Sequence, residues 1–314
     1  MGTTATLQLA GADSVAIANL AYDALVGFHH VDSLLSNWTE DSEIARVNRK
    51  AGSGWVTLHP ELRPILSTAD TVYGESIGAF DLTIEPLARL WGFLGGKPHV
   101  PPRGDVESTH DLVGWQHVRI EADRIRFDRE GIGLDLGGIA KGYGVDLAAA
   151  RLDAAGASSF LLDLSGNMIV RGAPPQREVW RIGIRDPRDL LPHLGTLAVT
   201  DVALATSGDY EQFVADSGAR YGHILDPRTG WPAEGMAQVT VLAGSAMLAD
   251  AWSTALFVLG PDAARELAAG RDDLSCILIE RGESAELTVW IEESLRSVYT
   301  PHPDLGDNIT LRWF

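Results

Sequence analysis

KGYGVDLAAARLDAAGASSFLLDLSGNMIVRG, residues 141–172, decides the fold class. Its first half, through Gly156, repeats apolar residues at the helical period, and from Ser159 onward the pattern becomes strand-like. Toward the C-terminus, VWRIGIRDP and LGTLAVTDVALATSG read as further strands, Ala246 to Leu259 and Asp262 to Ala269 as helices, and SCILIERG as another strand. Toward the N-terminus, WQHVRI, DRIRFD and GIGLDLGG are short alternating runs broken by Gly and Asp, as strands of antiparallel hairpins are. Further back the chain is mainly helical. Val15, Ile17, Leu20, Leu25, Phe28, Val31 and Leu35 recur at helical spacing and predict a long amphipathic helix, Asp41 or Ser42 caps a short helix, and Pro60 to Tyr73 forms another. Helices interleaved with hairpin strands predict an α+β fold. Gly95 to Asp105 and Ala173 to Arg177 are loops too short to be linkers, and no repeat divides the sequence, so residues 1–314 are expected to form one unit, with room for two lobes.

Composition narrows the partners. The chain carries 43 acidic and 25 basic residues, a net charge of −18, a field that repels nucleic acid. An anionic small molecule needs a local device here, such as a divalent cation, a helix N-terminus or a placed lysine. Cys276 is the single cysteine, flanked by Leu274, Ile277 and Leu278, which excludes a disulfide framework and reads as core. The most apolar run, AMLADAWSTALFVLG, is too short for a membrane span and contains Asp250, and no secretory pattern opens the sequence, so a cytoplasmic protein without a membrane anchor is expected.

Four constellations could carry chemistry. GIGLDLGGIAKGYGVD, residues 131–146, runs from an expected strand through glycines into a helix near Lys141, with Asp135 and Lys141 setting opposite charges on either side of the turn. It is either a phosphate-approaching loop or an ordinary turn, and it matches neither a Walker loop nor a dinucleotide fingerprint. In ADAWSTAL, Asp250 and Thr254 lie four apart on one helical face. They suit a hard cation as oxygen ligands, or else Asp250 caps a helix and Thr254 bonds back to the preceding turn. In YGHILDPRTGWP, His223 is expected at the start of a strand before a secure DPRTG turn, and is a catalytic or a structural imidazole. GAFDLTIEPLARLWGF, residues 78–93, offers Asp81, Glu85 and aromatic surface to a planar ligand, or packs those aromatics into the core. Trp38, in the polar run SNWTEDSE, is a candidate stacking surface.

Together with MGT at the start, SNWTEDSEIARVN, GAFDLTIEPLARLWGF, LDLGGIAKGYGVD, ATSGDYEQF, YGHILDPRTGWP and ADAWSTALFVLG occur in an order that closely resembles the ApbE family of FAD:protein FMN transferases. The resemblance spans Met1 to about Gly260. It implies an enzyme that uses Mg²⁺ to transfer the FMN half of FAD to a Ser or Thr hydroxyl of a target protein, releasing AMP. By this resemblance Asp250, Thr254 and the Gly138 carbonyl hold Mg²⁺. Met1, Trp38, Ala79, Phe80, Asp81, Asp135, Lys141 and the backbone near Ile224 hold FAD, and His223 is the general base. The acceptor is expected to carry a DGxTGAT-like segment, which this chain lacks. Ser165 and Asn167 depart from the Gly and Asp common in the family. Two other activities stay open: an Mg²⁺-dependent FAD pyrophosphatase, and an FAD-binding protein without turnover.

Overall fold

In chain order, the computed structural model contains β1 (Ala5–Leu9), α1 (Ser14–Leu35), α2 (Glu43–Asn48), β2 (Val56–Thr57), α3 (Leu62–Glu75), α4 (Glu85–Leu90), α5 (Arg103–His110), β3 (Val118–Glu121) and β4 (Arg124–Phe127). There follow α6 (Ala140–Ala154), β5 (Phe160–Leu164), β6 (Asn167–Arg171), β7 (Trp180–Ile184), β8 (Gly195–Val199), β9 (Val202–Gly208), β10 (Phe213–Asp216) and β11 (Ala219–Gly222). The chain ends with β12 (Met236–Ala243), α7 (Ala246–Leu259), α8 (Pro261–Ala268), β13 (Leu274–Arg281), β14 (Leu287–Ile291), β15 (Tyr299–Pro301) and β16 (Ile309–Trp313). The structure describes residues 3–9, 14–210, 212–216 and 218–314. Mixed helices and hairpin strands make it α+β, as the sequence pattern predicts.

Eight strands form the main sheet in the order β1-β5-β6-β9-β12-β13-β14-β16. Its pairs are antiparallel except for the last, β14 with β16, which is parallel. Two three-stranded sheets, β15-β8-β7 and β2-β4-β3, and the β10-β11 hairpin complete the strands among the described residues. Every residue of β12 is buried because both faces of the sheet are covered. Alternation divides its neighbour β13 between two cores. Cys276 and Leu278 join Trp252 and Leu256 of α7 on one face, while Ile277 and Ile279 pack with Trp180, Ile182 and Leu197 of the smaller sheet on the other. Cys276 is therefore core, as expected.

The run LGTLAVTDVALATSG splits between layers: β8 belongs to the three-stranded sheet and β9 to the main one, with the chain reversing at Asp201, φ 49°. The β5–β6 hairpin turns at Ser165 and Gly166, φ 49° and 86°, both in the left-handed region that two-residue hairpin turns require. Asp163 closes that turn by accepting the Gly166 N–H at 2.8 Å.

Two expectations need correction. Residues 131–138 form no strand. Leu134 is gripped instead by Asn48, whose side chain accepts the Leu134 N–H and donates to its carbonyl, both at 2.9 Å, while Asn37 donates to the same carbonyl at 2.8 Å. Alternating apolar residues, Ile132, Leu134 and Leu136, are buried as in a strand, but side-chain amides satisfy Leu134, and the backbone bond from the Asp135 N–H to the Leu82 carbonyl at 2.7 Å stands in for a ladder. The Gly95–Asp105 loop is also shorter than expected, since α5 begins at Arg103.

Helix α7, which carries Asp250 and Thr254, is fixed at its start by two side chains. Ser245 caps it by accepting the Leu248 N–H at 3.2 Å. Asp146 of α6 accepts the Ala246 and Met247 N–H groups at 2.7 and 2.9 Å, which places a carboxylate against the positive helix end. The two helices touch at Gly142, where a Cβ would lie 2.2 Å from the Ala246 carbonyl oxygen. Gly142→Ala is accordingly expected to force the helices apart and cost about 1–3 kcal/mol, measured as a lower urea midpoint. An unchanged midpoint would show that the close approach is dispensable.

Candidate active site

A cavity of about 750 Å³ opens where α7, α6, the end of β9 and three loops meet. Its lining includes Trp38 from the turn after α1, Ala79, Phe80 and Asp81 from the loop after α3, and Asp135, Gly138 and Lys141 at the entry to α6. His223 and Ile224 come from the segment after β11, and Asp250 and Thr254 from α7. The residues expected to hold Mg²⁺ and FAD and to act as base all line this cavity except Met1, which lies outside the described residues; Glu85 does not line it and pairs with Arg89 instead. His223 does not begin a strand: it sits just past the end of β11.

Asp250 is the centre of the deep wall. It is buried within α7, so the reading of it as a helix cap fails; Ser245 has that role. Its Oδ2 accepts the Gly142 N–H at 2.9 Å. Wholly buried Asn167 donates its amide to Asp250 Oδ1 at 2.9 Å and accepts Lys141 Nζ at 2.9 Å, in the amide orientation that satisfies both neighbours. Burial pushes the Asp250 carboxyl upward, and the Lys141 charge and the Gly142 N–H oppose it. One helical turn on, Thr254 Oγ1 lies 3.3 Å from Ser207 Oγ, which in turn lies 2.8 Å from Ser253 Oγ.

The turn at Gly137 and Gly138 closes over Thr254. A Cβ on Gly138 would stand 3.1 Å from both Thr254 Oγ1 and Phe80, so the backbone comes this close because it lacks a side chain. Asp250, Thr254 and Gly138 thereby share one wall, and a carboxylate, a hydroxyl and a backbone carbonyl are the hard-oxygen donor types that suit Mg²⁺. Among the described residues no group of three or more His, Cys, Asp or Glu could hold a metal. An Mg²⁺ ion held by one carboxylate, a hydroxyl and a carbonyl would draw its remaining ligands from water and substrate phosphate.

The other carboxylates are committed differently. Asp81 Oδ1 accepts from the Thr83 N–H at 2.8 Å and the Thr83 hydroxyl at 2.7 Å, and Oδ2 accepts the Trp115 N–H at 2.9 Å. Burial raises its pKa against these bonds. Its carboxylate therefore shapes the loop that presents Ala79 and Phe80. Asp135 accepts the Gly137 N–H at 2.9 Å and holds the turn, with burial again raising its pKa. Trp91 and Phe93, offered by the sequence as ligand surface, are buried in a separate apolar cluster.

His223 Nδ1 lies 3.2 Å from the Gln212 carbonyl oxygen. A carbonyl only accepts, which assigns the proton of the neutral ring to Nδ1 and its basic lone pair to Nε2. Trp38 stands at the rim with 64% of its surface exposed, a stacking face for a planar group. Ser207, Gly142 and Asp146 carry no local signal of their roles in the sequence, and Asn167 shows there only as a departure from the family pattern. Each acts across a fold-level contact, such as the 108-residue separation between Gly142 and Asp250, that no local motif encodes.

The ApbE family model matches residues 1–278. A relative from Vibrio cholerae, an FAD:protein FMN transferase, is 33% identical over 236 residues, 74% of this chain and 71% of its own. Among solved structures, the flavin transferase ApbE from Vibrio cholerae superposes with a TM-score of 0.86 at 29% identity, covering 95% of this chain and 96% of that one. The apo flavinyl transferase ApbE of Pseudomonas stutzeri gives 0.84 at 32% identity, covering 95% and 94%.

Proposed function

The chain belongs to the ApbE family, and from that premise we propose that this flavin transferase moves FMN from FAD to a Ser or Thr hydroxyl of an acceptor protein and releases AMP. The acceptor is a protein with a DGxTGAT-like segment, the enzyme is a single unit of residues 1–314, and its site is cytoplasmic. No described helix is long and apolar enough to cross a membrane.

The observation that carries this reading is the charge of the cavity wall. Asp32, Asp81, Asp135 and Asp250 line it, against Lys141 as the only Lys or Arg among its described residues. A pyrophosphate entering such a wall needs a cation beyond Lys141. Asp250, Thr254 and the Gly138 carbonyl are the residues that would hold Mg²⁺. When bound, the ion would neutralise phosphate charge and stabilise the leaving AMP.

The residues themselves supply the rest. Trp38 and the Ala79–Phe80–Asp81 segment hold the flavin nucleotide, with Asp135 and the backbone near Ile224 beside them. Lys141, steadied by Asn167, meets the phosphates. His223 Nε2 takes the hydroxyl proton as the acceptor oxygen bonds to the FMN phosphorus and the bond from phosphorus to the bridging oxygen breaks, AMP leaving with that oxygen. Positioning dominates such a loose phosphoryl transfer.

A pyrophosphatase would use the same wall with water as nucleophile. Incubating enzyme, FAD and Mg²⁺ with and without a carrier protein bearing a DGxTGAT segment separates the two. The expected result is AMP release that depends on the carrier, with the carrier gaining the mass of FMN. Equal AMP with and without carrier would identify the pyrophosphatase, and FAD binding with no AMP would identify a binding protein.

A further inference from the structure

Beside the cavity lies a second, open groove of about 370 Å³ that shares Trp38 and Gln212 with it. Phe93 and Phe213 form further walls, and Gly92 contributes bare backbone. We propose that this groove seats the hydroxyl-bearing segment of the acceptor protein, in extended form. The inference rests on the transferase reading above and adds the surface where the second substrate docks.

Three observations lead there. The first is continuity. The main cavity alone is of the size that takes a nucleotide-scale ligand, so a bound FAD leaves the neighbouring groove as separate space. The two volumes meet at Trp38 and Gln212, the rim across which an acceptor must reach the phosphate.

The second is the shared support of groove and base. Gln212 and Phe213 begin the β10–β11 hairpin, and His223 ends it. The His223 N–H donates to the Gln212 carbonyl at 3.1 Å, extending the ladder in which Phe213 pairs with Gly222. Phe93 turns its ring edge-on to the His223 imidazole, centroids 6.4 Å apart. A chain lying over Phe213 and Phe93 therefore runs beside the element that carries the imidazole, and β10 and β11 pair only with each other among the described residues. An open strand edge gives an extended segment main-chain partners.

The third is the exposure of large aromatics. Trp38 is 64% and Phe213 46% exposed, although both are among the residue types most often buried at protein contacts. Arg220 stacks on the Phe213 ring at 3.9 Å and holds it in place. The segment that fits is slender, since the groove is small and the backbone at Gly92 approaches it closely.

The test compares the intact enzyme with Phe213→Ala, using FAD, Mg²⁺ and a carrier protein bearing a DGxTGAT segment. Phe213 is outside the FAD cavity and half exposed, so its truncation spares the fold. The expected result is a rise of about tenfold in the KM for the carrier, as for loss of an aromatic contact anchor, with FAD affinity unchanged. A photo-crosslinking p-benzoylphenylalanine in place of Phe213 is expected to capture the carrier. An unchanged carrier KM, a parallel loss of FAD affinity, or crosslinks between two copies of the enzyme would each overturn the groove while leaving transfer by the intact enzyme standing. Absence of a covalent adduct from the intact enzyme would overturn the transferase reading, and the groove with it.

Discussion

Asp250→Ala is expected to remove metal-dependent AMP release, a fall on the order of 10³-fold or more, while the fold survives. Asp250 is the one carboxylate in the oxygen set with Thr254 and Gly138, and the remaining hydroxyl and carbonyl bring no charge to attract a divalent cation. The fold survives because the carboxylate is held at a cost: burial disfavours its charge, and Lys141, bridged through Asn167, offsets it. Truncation leaves the Gly142 N–H and the Asn167 amide without their acceptor, each worth about 1–3 kcal/mol, yet it also relieves that buried charge. The two terms oppose, so the urea midpoint is expected to move little. Asp250→Asn, which keeps the volume and an acceptor for Gly142, should lose turnover to a similar extent. Calorimetric titration with Mg²⁺ in the presence of FAD completes the test, with binding lost in both variants. Turnover that persists in either would remove Asp250 from the reaction.

The parts of this site that the sequence displays are those in which chemistry follows a local period. Asp250 and Thr254 are four apart on a helix, and α7 runs over the expected residues, Ala246–Leu259. The Ser42 cap, with its hydroxyl accepting the Ala45 N–H at 3.0 Å, is equally local. The exceptions arise where distant groups substitute for a local partner. Residues 131–138 alternate like a strand, but Asn37 and Asn48 satisfy the backbone of Leu134, a pairing that hydropathy cannot register. The same limit hid the Asp146 bonds to the start of α7, which span 100 residues. Asp81 shows the converse: its place beside the cavity was legible, but the commitment of both its oxygens to Thr83 and Trp115 depends on packing. Asn167 was noted only as a departure from the family pattern. In the fold its neutral amide is the link between Lys141 and Asp250, a role that needs a donor and an acceptor on one side chain.

His223→Ala is expected to slow FMN transfer by about 10²-fold, the lower end of the range for general acid–base catalysis, with little change in FAD affinity. The lower end is expected because a loose, metaphosphate-like transition state demands little proton removal before the phosphorus–oxygen bond breaks. The geometry favours an effect on the chemical step. The Gln212 carbonyl fixes the Nδ1 proton, directing the basic Nε2 away from the hairpin backbone. His223 also packs edge-on against Phe93, on the side of the neighbouring groove. Removing the imidazole therefore deprives the acceptor hydroxyl of its proton sink and leaves the flavin contacts in place. Single-turnover transfer and FAD fluorescence titration separate these effects. If transfer and FAD affinity fell by the same factor, the lost interaction would be one made equally in ground and transition states, and His223 would be a nucleotide-binding residue. If hydrolysis to AMP without acceptor rose as transfer fell, the imidazole would instead be acting to exclude water from the phosphorus. A selective loss of transfer, with neither change, is the outcome that the base assignment requires.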